Sequence, residues 1–143
     1  MGYRLLEGLT QADVAFRAEE ESLEELFRTA WRATLELMLP APSTLAARER
    51  RRIAVANPAV DLLLFDFLGE LIYYKDAEGL LLGLESLAVQ GGPGGYRLVA
   101  EAAGEAMDPA RHELGLDVKA VTLHHLAVER VPLGWQATVV LDV

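Results

Sequence analysis

Hydrophobic residues between positions 23 and 38 recur every three or four residues, the spacing of one helical face. Ser22 and Glu25 precede this stretch with the spacing of a capping box, in which each side chain satisfies the other residue's free amide group. Pro40 and Pro42 follow it, and proline cannot continue a helix. The pattern therefore predicts an amphipathic helix that begins after Ser22 and ends before Pro40.

A second helix is predicted to begin at Asn57, with Asn57 as its N-cap and Pro58 at its first position. The apolar residues of 62–72 cover more than one face, so we expect this helix to be the more buried of the two. Residues 76–79 end it, because Gly79 suits the turn that closes a helix.

The remaining stretches have the alternation or the β-forming composition of strands. They are residues 3–6, 12–18, 53–56, 80–90, 96–103, 118–130 and 135–141. The glycine-rich residues 91–95 predict a hairpin tip rather than a phosphate-binding loop, because no helix follows them. Gly134 marks a second turn, before the last strand. This order predicts a single α+β domain over residues 1–143, with a largely antiparallel sheet and two helices packed on one face.

Composition narrows the class of protein. Hydrophobic residues make up 52% of the chain and charged residues 24%, which is typical of a folded, soluble protein. No apolar run approaches the roughly 18 residues of a membrane span, so we expect no membrane partner. Cysteine is absent, which excludes disulfides, zinc–thiolate sites and cysteine nucleophiles. The N-terminus lacks the layout of a secretory signal, and we expect a cytoplasmic protein.

The net charge of −9 argues against stable binding of nucleic acid by this chain alone, since such binding needs a basic surface. An acidic protein of this size instead suits a basic partner. The one basic run, residues 48–52, could be a docking patch for a phosphate or an acidic partner. We favour a solvated loop that leads into the next strand.

Few residues have the spacing of a catalytic site. The chain contains no G-x-S-x-G turn and no Walker or Rossmann glycine pattern. Among the histidines His112, His124 and His125, the last two are adjacent on a predicted strand and should point to opposite faces. They therefore predict one surface group and one inward group rather than a shared metal site. Asp66 and Glu70 lie one turn apart on the second helix and could act as an acid–base pair, although we favour a solvated stripe.

The most informative carboxylates are Asp13, which begins a predicted strand, and Asp142, which ends another. If those strands are neighbours, both carboxylates and the main-chain oxygens of the last residues meet at one sheet end. Oxygen ligands of this kind suit a hard cation such as Ca²⁺ or Mg²⁺. The alternative is a solvated pair of surface carboxylates. Lys119 precedes the apolar run Ala120-Val121, where it is either functional or a surface lysine at the edge of a strand.

Several segments in the same order together resemble the archease family. They are Ser22-Leu23-Glu24-Glu25-Leu26-Phe27, residues 64–71, residues 76–80, Lys119-Ala120-Val121-Thr122-Leu123-His124, Gly134-Trp135 and Val139-Val140-Leu141-Asp142-Val143. The family's H-T-A-D signature corresponds to Thr10-Gln11-Ala12-Asp13, which keeps only the alanine and the aspartate. Changes beside a metal ligand can alter metal affinity without destroying the site.

The resemblance implies an accessory protein of RtcB-type tRNA-splicing RNA ligases that promotes guanylylation of the ligase and multiple turnover, and is not itself an enzyme. It also implies a divalent metal ion, Ca²⁺ or Mg²⁺/Mn²⁺, held by Asp13, Asp142 and a main-chain oxygen of Val143. Lys119 matches a lysine associated with activity. The alternative function is a protein-binding or chaperone-like module, and a small metal-dependent hydrolase using Asp13, Lys119 and Asp142 ranks behind it.

Overall fold

The computed structural model describes residues 1–7 and 13–143. Its regular elements, in chain order, are β1 (Gly2–Leu6), β2 (Asp13–Glu20), α1 (Leu23–Met38), β3 (Glu49–Asn57), α2 (Val60–Glu78), β4 (Leu80–Gly92), β5 (Gly95–Ala106), β6 (Ala120–Val121), β7 (Ala127–Val131) and β8 (Gly134–Asp142). A 3₁₀ turn, Pro42–Thr44, lies between α1 and β3.

The described strands form two antiparallel sheets. Sheet A has the order β1-β2-β8-β6, with β7 also paired to β8, and sheet B has the order β3-β5-β4. Both helices contact strands of both sheets, so the hydrophobic core lies where the helices meet the two inner faces. The structure confirms the predicted α+β class with two helices and antiparallel strands, and it divides those strands between two sheets.

Helix α1 begins as the sequence predicts. The amide of Glu25 donates to Oγ of Ser22 over 3.1 Å, and the helix ends at Met38, two residues before Pro40. Its buried face carries Phe27 and Trp31, and the Trp31 ring centroid lies 4.8 Å from that of Phe67 on α2. The regular spacing of apolar residues thus makes one side of α1 face the core.

Helix α2 begins at Val60, so the prediction of Asn57 as its N-cap is wrong. Asn57 is the last residue of β3, and its Oδ1 accepts from the amide of Ala59 over 3.0 Å. The side chain therefore closes the turn between strand and helix rather than the helix itself. The predicted end is confirmed, because Gly79 has a φ of 66° and donates its amide to the carbonyl of Lys75.

The glycine-rich hairpin is confirmed and is longer than predicted. Strands β4 and β5 pair from Leu80 opposite Ala106 to Gly92 opposite Gly95, with a register shift between Leu84 and Ser86. Two consecutive strands of this length give sheet B most of its area.

Two side chains of α1 hydrogen-bond to the outer edge of β4, which pairs with no further strand among residues 1–7 and 13–143. The carboxylate of Glu24 accepts from the amide of Val89 over 2.8 Å, and the indole Nε1 of Trp31 donates to the carbonyl of Leu82 over 2.9 Å. An unpaired buried carbonyl is costly, so these contacts join α1 to sheet B by more than apolar packing.

The final predicted strand pair is only partly correct. The predicted strand 118–130 is two short strands, β6 and β7, separated by a turn, and both pair with β8. The turn before β8 ends at Gly134, the first residue of that strand, which has a φ of 152°. No helix within the described residues is long and apolar enough to cross a membrane.

The basic run at 48–52 is not the solvated loop that we favoured, because β3 already begins at Glu49. Each of its four arginines forms an ion pair with a carboxylate on the described part of the chain; the pairs are Arg48–Glu105, Arg50–Glu85, Arg51–Glu78 and Arg52–Glu101. The run is therefore the charged outer strand of sheet B, and its positive charge is largely neutralised locally.

Substitution of Trp31 by Phe should lower the free energy of unfolding by about 2–3 kcal/mol, because the buried carbonyl of Leu82 loses its donor. Urea denaturation at neutral pH measures this change. Trp135→Phe is the matched control, since Trp135 is only half buried, and it should cost less than about 1 kcal/mol. Equal losses in the two variants would contradict a special role for the indole hydrogen bond.

Candidate functional site: an acidic edge of sheet A

Asp13 and Asp142 lie directly opposite each other in the register of β2 and β8. Paired residues of antiparallel strands point to the same face with Cβ atoms about 5 Å apart. The neighbouring residue Leu141 is buried in the core, so the two aspartates point away from it. The pairing on which the metal hypothesis depended is therefore present. We call Asp13, Lys119, Asp142 and Val143 the acidic edge.

The opposed carboxylates carry like charges, an arrangement that destabilises a strand pair unless a cation or a hydrogen-bond donor compensates. Both residues are partly exposed, so a ligand from solution can reach this end of the sheet. The register is fixed by eight consecutive residue pairs, from Asp13 opposite Asp142 to Glu20 opposite Trp135. The position of Asp13 opposite Asp142 is thus imposed by the sheet.

Lys119 joins the acidic edge through its backbone. Its amide donates to the carbonyl of Asp142 over 2.8 Å, and the next residue, Ala120, lies opposite Asp142 in the β6–β8 pairing. The Lys119 side chain is exposed. The hydrogen bond from Lys75 holds the pKa of Asp117 below its ordinary value, and the charge of Lys119 makes a smaller contribution in the same direction. Lys119 therefore lies beside the paired aspartates, as the sequence interpretation requires.

The acidic edge offers only oxygen atoms as ligands from Asp13, Asp142 and the main chain at Val143. Such donors suit a hard cation that keeps part of its water shell. Across residues 1–7 and 13–143 there is no group of three or more His, Cys, Asp or Glu side chains arranged for a metal. Two carboxylates would thus be supplemented by main-chain oxygens and water. Thr10 and Gln11, where the sequence departs from the H-T-A-D signature, lie outside the described residues.

His124 and His125 do not occupy a strand, so the prediction of opposite strand faces is wrong. Both lie in the turn between β6 and β7, both are exposed, and their ring centroids are 6.3 Å apart. His125 has a φ of 53°, a left-handed conformation that histidine adopts more readily than most residues. Neither histidine is the inward group that the alternation predicts.

Asp66 and Glu70 are both half buried on α2. The carboxylate of Asp66 accepts from Nδ2 of Asn57 over 3.2 Å. Asp66 therefore helps to fix the turn that leads into the helix.

A buried polar cluster that the sequence did not predict surrounds Glu105 and His112, which are 4% and 3% exposed. The amide of Asp108 donates to Nδ1 of His112, so the ring proton is on Nε2, which contacts the Glu105 carboxylate over 3.2 Å. Glu105 also accepts from the amide of Ala46 and from Arg111. The only signal in the sequence is a glutamate within an otherwise small and apolar strand end.

This cluster is structural rather than catalytic, because protein groups already occupy both ring nitrogens of the histidine. It connects three separate segments of the chain: the linker before β3, the end of β5 and the loop that leads toward Lys119. The hydrogen bond from the Ala46 amide, helped by His112 and Arg111, lowers the pKa of Glu105.

The described residues thus form a small α+β protein with two helices, two antiparallel sheets and a partly exposed pair of aspartates at the end of sheet A. The model of the archease protein family matches residues 3–143. The chain belongs to the archease family.

Similarity to known relatives extends over almost the whole chain. The archease of Pyrococcus abyssi is 34% identical over 133 residues, which is 92% of this chain and 93% of the relative. The archease of Thermococcus gammatolerans is 35% identical over 132 residues, with 92% of each chain covered.

Two solved structures have the same fold. The solution structure of Methanobacterium thermoautotrophicum protein 1598 has a TM-score of 0.83 at 30% identity and covers 99% of each chain. The crystal structure of an archease from Thermotoga maritima, described as a possible chaperone, has a TM-score of 0.65 at 20% identity and covers 98% of each chain. The second similarity concerns the fold alone.

Substitution of Glu105 by Gln should flatten the acid limb of the stability curve. The folded-state pKa of Glu105 lies below the ordinary value of 4.5, so the carboxylate stabilises the fold above that pH. This contribution is lost as the pH falls through the folded-state pKa. The free energy of unfolding, measured in urea between about pH 3 and pH 7, should therefore decrease less on acidification in the variant. The exposed Glu113→Gln is the control, and an identical curve for Glu105→Gln would contradict the assignment.

Proposed function

We propose that this protein is an accessory factor of an RtcB-type tRNA-splicing RNA ligase, promoting guanylylation of the ligase and its multiple turnover rather than catalysing a reaction itself. The observation that carries the proposal is the pairing of Asp13 with Asp142 beside Lys119, in a chain that belongs to the archease family. These are the positions to which the family resemblance assigns function.

Charge supports a partner of this kind. The chain has a net charge of −9, and an active site that holds RNA and GTP must carry positive charge. The acidic edge lies at one end of sheet A, where it could enter a basic cleft without disturbing the core. Attraction between such surfaces raises the association rate and weakens with added salt.

The same residues support a divalent cation as the ligand of the acidic edge. Asp13 and Asp142 would supply carboxylate oxygens and Val143 a main-chain oxygen, a donor set that fits Ca²⁺, Mg²⁺ or Mn²⁺. When bound, the ion would offset the repulsion between the two aspartates and present positive charge to phosphate oxygens. Lys119 would add a mobile cation next to that position.

A protein-binding or chaperone-like activity is the second candidate function. A concavity of about 340 Å³ is bordered by Met107, Leu114 and Leu116, each 37–44% exposed. Exposed apolar side chains that lie together are typical of surfaces that bind other proteins. The Thermotoga maritima relative, described as a possible chaperone, is in line with this candidate. Such binding should depend on Leu116 and be indifferent to Asp142.

Ligase turnover tests the first candidate. An RtcB-type ligase from the same source would receive GTP, metal ions and excess RNA ends, with and without this protein. The proposal expects product to stop near one equivalent of ligase and to continue when the protein is added. Unchanged guanylylation and turnover would reject it, and suppression of client-protein aggregation that is lost in Leu116→Ser would favour the second candidate.

Asp142→Asn should abolish ligase activation and Ca²⁺ binding, because one of the two paired carboxylates is removed. Without metal, the variant should be as stable as the wild type or up to about 1 kcal/mol more stable, since the like-charge repulsion is relieved. Calorimetric Ca²⁺ titration and thermal unfolding with and without Ca²⁺ measure both effects.

Glu129→Gln is the matched control for Asp142→Asn. Glu129 is an exposed carboxylate on β7 of the same sheet but is not part of the acidic edge, and its loss changes the net charge equally. It should leave activation and the Ca²⁺ affinity unchanged. If Asp142→Asn reduced activation and metal-free stability together, Asp142 would instead be a structural residue.

A further inference from the structure

A buried lysine lies at the end of α2, one turn before Gly79. The side chain of Lys75 is 5% exposed, although an ammonium group is costly to bury unless its donors are paired. Its Nζ lies 2.7 Å from each of three acceptors: a carboxylate oxygen of Asp117, the carbonyl of Val118 and a carboxylate oxygen of Asp76. The three donors of the ammonium are thus all used.

Two of these three acceptors belong to the segment that leads into the acidic edge. Asp117 and Val118 immediately precede Lys119, whose amide donates to the carbonyl of Asp142. Three consecutive residues therefore connect the ammonium of Lys75 to the backbone of Asp142. Hydrogen bonding to Lys75 is also the main reason that the pKa of Asp117 is lowered.

The segment between β5 and β6 has no helix or strand of its own and depends on side contacts. Its middle is fixed to the end of α1, where the amides of Gly115 and Leu116 donate to the carbonyls of Met38 and Leu37, each over 2.8 Å. Residues 117 and 118, which lie between Leu116 and Lys119, are held by their contacts with Lys75.

We infer that Lys75 is a positioning residue of the acidic edge. It holds residues 117–119 so that the backbone of Lys119 keeps its position beside Asp142. The inference deepens the proposed function, because it concerns the same edge, and its consequence for metal affinity rests on the proposed cation site. Lys75 itself would touch neither the cation nor the partner ligase. It would act through the backbone of Val118 and Lys119.

Positioning and simple electrostatics make opposite predictions for the loss of this lysine. Removing a positive charge near a cation site should strengthen cation binding if only Coulomb attraction mattered. Releasing the segment that orders Asp142 should weaken it, as changes in residues that support metal ligands do. The sign of the change in Ca²⁺ affinity therefore separates the two explanations.

The first experiment is a calorimetric Ca²⁺ titration of Lys75→Met, at a temperature where circular dichroism shows the variant to be folded. Positioning predicts a dissociation constant about 10-fold higher than in the wild type. An unchanged or lower dissociation constant would overturn the inference. Ile53→Ala is the control for lost stability, because Ile53 is a buried residue of β3 in sheet B, whereas the acidic edge belongs to sheet A. It should leave the dissociation constant unchanged, and an equal loss in both variants would also count against positioning.

The second experiment needs no metal and measures amide hydrogen exchange. In Lys75→Met the Lys119 amide should exchange at least about tenfold faster, while the Gly115 amide, held by α1, should change much less. Uniform acceleration of both amides would indicate general destabilisation and reject the inference. If the wild-type protein fails to bind Ca²⁺, the proposed cation site fails, and the exchange of Lys119 alone decides the role of Lys75.

Two exposed aspartates provide a matched pair for the same exchange measurement. Asp117 and Asp76 both lie 2.7 Å from Nζ of Lys75, but Asp117 belongs to the positioned segment and Asp76 to the helix. Asp117→Asn should accelerate exchange at Lys119, and Asp76→Asn should leave it near the wild-type rate. Faster exchange of the Lys119 amide in Asp76→Asn than in Asp117→Asn would contradict the inference that Lys75 positions residues 117–119.

Discussion

The antiparallel pairing of β2 with β8 is the constraint on which the rest of this protein depends. It places the centre of sheet A, gives α1 an apolar surface to cover, and brings Asp13 opposite Asp142, although 128 positions separate them in the chain. A slip of one residue would turn every side chain of β2 to the other face. The core residue Phe16 and the partly exposed Asp13 would then exchange environments, so burial of the core also secures the acidic edge.

The sequence was sufficient where local chemistry decides the structure. Ser22 caps α1 and Gly79 ends α2 because the required atoms lie within a few residues of each other. The hairpin around residues 91–95 follows from the same local information. The sequence could place Asp13 near Asp142 only if their two strands were neighbours, and a single sequence does not state which strands are neighbours.

Other features depend on long-range contacts and could not be predicted. Asn57 remains in β3 because its pairing with Tyr96 extends the strand, and α2 begins at Val60 rather than at Pro58. The left-handed turn at His125 interrupts an apparently continuous strand. The Lys75 contacts with Asp117 and Val118 span more than 40 residues, and a lysine in the last turn of a helix otherwise indicates only a favourable interaction with the helix dipole.

The contacts between α1 and the outer edge of β4 also bear on how this protein behaves in a crowded solution. An uncovered edge strand can recruit a strand from another molecule, which begins aggregation or domain swapping. Here Glu24 and Trp31 already occupy the amide of Val89 and the carbonyl of Leu82. A foreign strand would have to displace the helix to pair there. The helix that closes the core thus also protects the β4 edge of sheet B from pairing with a foreign strand.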